Sequence, residues 1–129
     1  MLVSKEIKIT KEYLETHKNE IFVYGDNIFH LGKAGGAILR DEENVLGFVT
    51  KKYPSNNDDA FYTPEEYLPV FEKEVEKLVQ HIIRNPMKQY LISKIGAGLA
   101  NRYNIFEQVI KPRLSSVLKY FPNVTLLWD

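Results

Sequence analysis

The sequence contains no cysteine, no excess of charge of either sign and no long hydrophobic run. Without cysteine the chain can form neither disulfides nor thiolate sites, which favours a reducing compartment. Lys plus Arg and Asp plus Glu each total 17, so no global basic surplus attracts a nucleic-acid backbone. No stretch approaches the ~18 apolar residues of a membrane helix, and the N-terminus lacks a secretory apolar segment. The sequence therefore predicts a cytoplasmic protein without membrane contact.

Histidine is also scarce. His17, His30 and His81 lie far apart and lack the spacing of metal ligands, so the sequence predicts no metal site and no cofactor. The 129 residues are 44% apolar, which is enough for a core, and contain no repeat or low-complexity tract. We predict a single domain spanning residues 1–129.

Strand and helix patterns alternate along the chain. One long helix is predicted over Pro64–Arg84, with Thr63 as N-cap and Glu66 completing a capping box, and Pro69 is predicted to bend its first turns or to shift its start. A second is predicted over Ile105–Phe121, with Asn104 as N-cap and a kink at Pro112. Two short helices are predicted over residues 11–19 and 34–42. The predicted strands are Glu6–Thr10, Ile21–Gly25, Gly47–Lys51, Gln89–Gly96 and Val124–Trp128.

This order is typical of an α/β domain. Several strands are continuously apolar, which indicates burial on both faces of a sheet covered by helices. The sequence therefore predicts a three-layer α/β/α sandwich with a mixed, mostly parallel central sheet of about five strands.

Glycines concentrate in two segments that each follow a predicted strand. Gly25, Gly35 and Gly36 lie in the first segment, and Gly96 and Gly98 lie in the second. Ligands of such folds bind outside the carboxyl ends of the strands, where glycines and helix N-termini let backbone N–H groups approach a phosphate. The two loops could together cradle a diphosphate. In the alternative interpretation, the glycines serve turns and close helix–sheet contacts.

Polar residues lie beside both loops, and Asp26 and Asn27 directly follow the second predicted strand. Asp26 and Asn27 could hydrogen-bond a ribose or an adenine, or they could form an Asx-turn that serves only the chain. Asn101 and Arg102 follow the second loop, and Arg102 could pair with a phosphate or remain a solvated surface charge.

Two lysines end the third predicted strand. Lys51 or Lys52 should face the crevice if the strand alternates, where it could neutralise phosphate or act as a nucleophile. Both could equally be solvated on the surface, and a one-residue change in register exchanges them. Arg40, Asp41 and Glu42 are interpreted as ordinary surface charges.

Three segments resemble the macrodomain family, an ADP-ribose-binding α/β/α fold, and its branch of terminal ADP-ribose protein glycohydrolases. They are "GDNIFHLGKAGGAI", "GFVTKKYP" and "SKIGAGLANRYNIFEQVI". The chain is also similar to small bacterial and phage proteins with Gly-Asp-Asn, Gly-Gly, Arg-Asp-Glu and Thr-Lys-Lys patterns. The resemblance implies that one loop meets the distal ribose and phosphates and that the other wraps the diphosphate. The first loop contributes Gly35, Gly36 and Ala37, and the second contributes Gly96, Ala97, Gly98 and Leu99.

The resemblance has one departure. The glycohydrolase branch carries an aspartate in the second loop that works with the strand lysine, and this chain has Ala100 there. The lysine carries over to Lys51 or Lys52, and Asp26 is a candidate substitute for the missing acid.

Three functions follow as hypotheses. The first is binding of ADP-ribose or a related nucleotide diphosphate. The second is a hydrolase that removes ADP-ribose from a macromolecule, with Lys51, Lys52 and Asp26 as candidates for catalysis. The third is a protein-interaction or phage-accessory protein with a vestigial pocket, which a large exposed apolar patch would favour.

Overall fold

A parallel β-sheet forms the centre of the protein. The computed structural model describes residues 1–3 and 8–128, and its strands are β1 (Leu2–Val3), β2 (Glu20–Asn27), β3 (Val45–Lys51), β4 (Gln89–Ile92) and β5 (Val124–Leu126). Their order is β1-β5-β4-β2-β3. Every pairing among these strands is parallel, so the predicted parallel α/β class is confirmed, whereas the predicted mixture of directions is not seen in this sheet.

The edge strand differs from the prediction. Of the predicted strand Glu6–Thr10, residues 6 and 7 lie outside the described residues, and residues 8–10 form no strand. Thr10 is instead the N-cap of the next helix, because its hydroxyl accepts a hydrogen bond from the Tyr13 backbone at 3.0 Å. The two residues of β1 pair with β5 and occupy the edge.

Helical segments connect the strands. They are α1 (Lys11–Thr16), α2 (Pro64–Arg84) and α3 (Lys111–Leu118), with short 3₁₀ segments at Gly35–Leu39 and Asp58–Ala60. Among the described residues, none of the helices is both long and apolar enough to cross a bilayer.

The capping box of α2 is confirmed. The Thr63 hydroxyl accepts from the Glu66 backbone at 3.3 Å, and the Glu66 carboxylate accepts from the Thr63 backbone at 3.0 Å. The helix continues through Pro69 without a shift of its start. Glu74, within the helix, is buried, and its carboxylate accepts from the Val49 backbone at 2.7 Å. This bond satisfies the buried carboxylate and joins α2 to β3.

The last helix begins at the predicted Ile105 and ends three residues before the predicted Phe121. A π-helical turn over Phe106–Ile110 precedes α3, which ends at Leu118. Asn104 adopts a φ of 64° and does not cap the helix. The side-chain carbonyl of Asn101 accepts from the Phe106 backbone N–H at 3.0 Å instead. Proline at position 112 has no N–H to donate, and the Gln108 carbonyl accepts from the Arg113 side chain at 2.9 Å.

Each face of the sheet has its own apolar cluster. Ile21 and Val23 of β2 point into a large cluster with residues of α2 and α3, whereas Phe22 and Tyr24 point into a smaller cluster with Leu14 of α1. Successive residues of a strand face opposite sides. This burial on both faces confirms the interpretation of β2 as a strand covered on both sides.

Candidate functional site

A cavity of about 510 Å³ lies at the carboxyl ends of β2, β3 and β4. Its walls come from the ends of β2 and β3, a first glycine loop (residues 28–37), the loop after β3 and a second glycine loop (residues 93–100). The strands bring these segments together because parallel strands end at the same edge of a sheet. Two loops that are far apart in the sequence therefore border one space.

Nine of the predicted site residues line the cavity: Gly25, Asp26, Asn27, Gly35, Ala37, Lys51, Gly96, Gly98 and Leu99. Ala100, at the position of the family aspartate, lines it as well. Lys52, Ala97, Asn101 and Arg102 are not among its lining residues. The surroundings of Gly36 lie outside what the structure describes.

Both oxygens of the Asp26 carboxylate have partners within the protein. Its side chain is 2% exposed, and one oxygen accepts from the Asn27 backbone at 2.8 Å and pairs with Arg40 at 2.7 Å. The other oxygen lies 2.6 Å from Nδ1 of His30. It also packs so closely over Gly47 that a Cβ there would stand 2.6 Å away. Asp26 therefore organises the first glycine loop, and its oxygens are not free for a ligand.

Arg40 is the second half of this network, and the sequence interpretation missed it. Its guanidinium donates to the carbonyls of Gly32 at 3.0 Å and Leu31 at 3.1 Å while pairing with Asp26. The group also lies over the Tyr24 ring, 5.6 Å from the centroid. The side chain is only 14% exposed. Arg40 thus holds the first glycine loop against the end of β2. Its place in the Arg-Asp-Glu pattern is the feature of the sequence that could have indicated this role.

Asn27 forms the Asx-turn that was the alternative interpretation. Its carbonyl accepts from the Phe29 backbone at 3.1 Å, and its amide donates to the Leu31 carbonyl at 2.7 Å. The following His30 has a φ of 55°, which the turn and the contact with Asp26 hold in place.

The glycines of the two loops have different reasons to be glycine. Gly96 has a φ of 79°, and a Cβ there would collide with Cδ1 of Ile110, so it serves the close packing of the helix. A Cβ added to Gly35 or Gly98 would meet no heavy atom within 4 Å, so both residues border open space. Gly35 also has a positive φ of 59°, which a residue with a side chain rarely adopts. Neither backbone conformation nor packing requires a glycine at position 98, and the missing side chain leaves space in the cavity.

Several backbone N–H groups of both loops have no acceptor within the part of the chain that the structure describes. Among the described residues, none accepts a hydrogen bond from the N–H groups of Ala34, Gly35, Gly98, Leu99 or Ala100. The sequence also predicted that helix N-termini would supply N–H donors, and the structure gives this prediction little support. The first loop leads into only five residues of 3₁₀ helix, and the side chain of Asn101 caps the start of the second helix. The loops themselves, and not helix dipoles, supply the donors.

Lysine side chains give the cavity its charge. Lys33, Lys51 and Lys94 line it. Lys33 pairs with Asp41 at 2.5 Å, whereas Lys51 and Lys94 form no ion pair with a carboxylate of the described residues. Lys94 was not predicted as a site residue, although its position just after the end of β4 could have indicated that it lines the cavity.

The structure separates the two lysines of the Thr-Lys-Lys segment. Lys52 turns away and pairs with Glu66 at 2.9 Å, whereas Lys51 lies in the cavity with its Nζ 4.9 Å from the centroid of Phe61. Burial lowers the pKa of Lys51 below its ordinary value, and the charge of Arg102 lowers it further. Lys51 is thus the lysine placed to meet a ligand.

The remaining predicted residues serve other contacts. The Arg102 guanidinium lies over Phe61, 4.4 Å from the ring centroid, and pairs with Asp58. Asn101 donates to Glu107 while capping the helix. Ala97 packs against the larger apolar cluster.

Metal binding finds no support in the side-chain arrangement. Within residues 1–3 and 8–128, no three His, Asp or Glu side chains come together in a group that could hold a metal ion.

A model of a family of unknown function, DUF7831, matches residues 4–102. The chain belongs to this family. The matched range contains every residue that lines the cavity, whereas α3 and β5 lie beyond it. No curated protein and no solved structure matches the chain.

Proposed function

We propose that this member of DUF7831 has a three-layer, macrodomain-like fold and binds ADP-ribose or a related nucleotide diphosphate in the cavity. The observation that carries the proposal is the meeting of two glycine loops around one lysine-lined cavity at the carboxyl ends of adjacent parallel strands. The apolar clusters on both faces of the sheet support the three layers.

The chemistry of the walls suits a diphosphate. Lys51 and Lys94 supply positive charge, and the N–H groups of Gly98, Leu99 and Ala100 are free donors among the described residues. Charged donors and open backbone amides are the usual partners of phosphate oxygens. The volume of about 510 Å³ lies within the range of roughly 300–1,000 Å³ for small-molecule sites.

Hydrolysis of an ADP-ribosyl bond is the second candidate, and Lys51 is the observation that favours it. A lowered pKa enlarges the unprotonated, nucleophilic fraction of its amine. Hydrolysis also needs a carboxylate in the cavity, and this requirement is poorly met. Asp26 is the only carboxylate among the described lining residues, and both of its oxygens have partners within the protein. Ala100 brings no carboxylate to the second loop. Binding without hydrolysis is therefore the first proposal.

Calorimetric titration with ADP-ribose, with AMP and NAD as comparisons, tests the proposal. Gly98→Leu should weaken ADP-ribose binding at least ~10-fold, because its side chain would occupy open cavity space. Gly98→Ala is the matched control and should bind nearly as the parent does. Both variants should keep the parent's thermal unfolding midpoint. Unchanged affinity in Gly98→Leu would refute the cradle of two loops, and a parent that binds none of the three ligands would favour a vestigial pocket.

The two lysines provide a second matched pair. Lys51→Met should weaken binding, whereas Lys52→Met should not, since Lys52 pairs with Glu66 outside the cavity. Release of ADP-ribose from an ADP-ribosylated protein, followed by mass spectrometry, tests hydrolysis. If the parent releases ADP-ribose and Lys51→Met releases it at the same rate, Lys51 is not the nucleophile.

A further inference from the structure

The side chains best placed to distinguish one base from another are already used by the protein. The Asp26 carboxylate is 2% exposed and is held by the Asn27 backbone, Arg40 and His30. Because these partners surround the carboxylate and leave it only 2% exposed, an adenine amino group could reach it only if His30 or Arg40 moved away.

The two asparagines at the ends of the loops are engaged as well. Asn27 uses its carbonyl for Phe29 and its amide for Leu31. Asn101 uses its carbonyl for Phe106 and its amide for Glu107. Asn27 is only 7% exposed and Asn101 does not line the cavity, so neither carboxamide presents a paired donor and acceptor to an adenine edge.

Most of the groups that remain recognise charge or flat apolar surface. Lys51, Lys94 and the backbone N–H groups are donors without acceptors among the described residues, so they suit phosphate oxygens of any nucleotide. Leu31 and Leu99 line the cavity and are 60% and 63% exposed, so they can cover the face of a base. Contact with the face of a base tolerates any base identity.

Of the two carboxamides that line the cavity, Asn27 is engaged, and Asn56 has no hydrogen-bond partner among the described residues. It is exposed on the loop after β3. Its amide carries both a donor and an acceptor and can turn about its last bond, so it can serve an amino or an oxo group equally.

We propose that the cavity selects the diphosphate and not the base, so that its ligand class is nucleoside diphosphates linked to a sugar, with little preference for adenine. This inference rests on the proposed function, because it concerns the same cavity. Lys51 and Lys94 set the affinity for the diphosphate. Asp26 and Asn27 form their hydrogen bonds within the protein and therefore do not contact the edge of the base.

Titration of ADP-ribose against its deaminated counterpart, inosine diphosphate ribose, tests the inference. The two ligands differ only along one edge of the purine, where the 6-amino donor becomes an oxo acceptor and the N1 acceptor becomes an N–H donor. We expect affinities within about threefold, whereas a site that reads the edge would lose about tenfold or more. AMP, which offers one phosphate to two loops, should bind at least ~10-fold more weakly than ADP-ribose.

The outcomes separate the two proposals. If ADP-ribose binds and the inosine compound binds ten times more weakly, the base is read and this inference is wrong, while the proposed function stands. If neither binds, both are wrong. Asn56→Ala is the remaining check: a loss shared equally by both ligands supports the inference, and a loss confined to ADP-ribose contradicts it.

Discussion

Replacement of Arg40 by methionine tests whether the Asp26–Arg40 network holds the first glycine loop. Methionine keeps much of the apolar stem but removes the guanidinium that joins Asp26 to the carbonyls of Leu31 and Gly32. The buried carboxylate would retain the Asn27 backbone and His30 as partners. The change thus removes one of three partners of a charge that is 2% exposed.

Removal of one partner from a buried ion pair costs about 3–5 kcal/mol. We expect the lower end, about 3 kcal/mol, because Arg40 is 14% exposed and Asp26 keeps two partners. The loop carbonyls can turn to water, so they add little. For 129 residues this corresponds to a fall of roughly 10 °C in the unfolding midpoint.

Urea denaturation monitored by circular dichroism measures the change. Lys18→Met is the matched control, because its pair with Glu43 at 3.5 Å is exposed on both sides and should contribute less than ~1 kcal/mol. A double-mutant cycle with Asp26→Asn should show a coupling energy of about 2 kcal/mol. If Arg40→Met changes the free energy of unfolding by less than ~1 kcal/mol, or the cycle is additive, the network is not what holds the loop.

Two further predictions concern the core and pH. Gly96→Ala should cost about 1–3 kcal/mol, because its φ is 79° and the new Cβ would collide with Ile110, whereas Gly98→Ala should stay within ~0.5 kcal/mol in urea denaturation; equal effects would contradict this interpretation. Burial, with a smaller effect of the Arg84 charge, lowers the pKa of His81 in the folded protein. The unfolded chain therefore binds more protons below about pH 6.5, and stability should fall from pH 7 to pH 5. His81→Gln should flatten that fall, and an unchanged pH dependence would exclude His81 as its source.

Local signals in the sequence were sufficient for some elements. The capping box of α2 involves residues three positions apart, so Thr63, Pro64 and Glu66 specify the helix start without help from the rest of the chain. The same holds for the apolar runs of β2 and β3, which begin within two residues of the predicted positions. The start of the last helix at Ile105 was also predicted, but its cap was not, because the side chain of Asn101 reaches five residues along the chain to accept from Phe106 in place of Asn104.

The candidate site could be predicted only in part. The glycine-rich segments marked both loops, since a glycine at a strand end signals a turn or a close approach of the backbone. The partners of Asp26 were not predictable, because Arg40 lies 14 residues further along the chain and reaches it only through the folded loop. Lys51 and Lys52 were indistinguishable for a similar reason: alternation gives the two faces of a strand but not which face borders a cavity.

The sequence by itself determined the α/β class, the long helix α2 and the two glycine segments, because periodicity, capping and backbone freedom act over a few residues. The tertiary structure alone decided the strand order β1-β5-β4-β2-β3, the choice of Lys51 for the cavity and the withdrawal of Asp26 into an ion pair. These features depend on contacts between distant segments, and such contacts exist only once the sheet has brought the strand ends together.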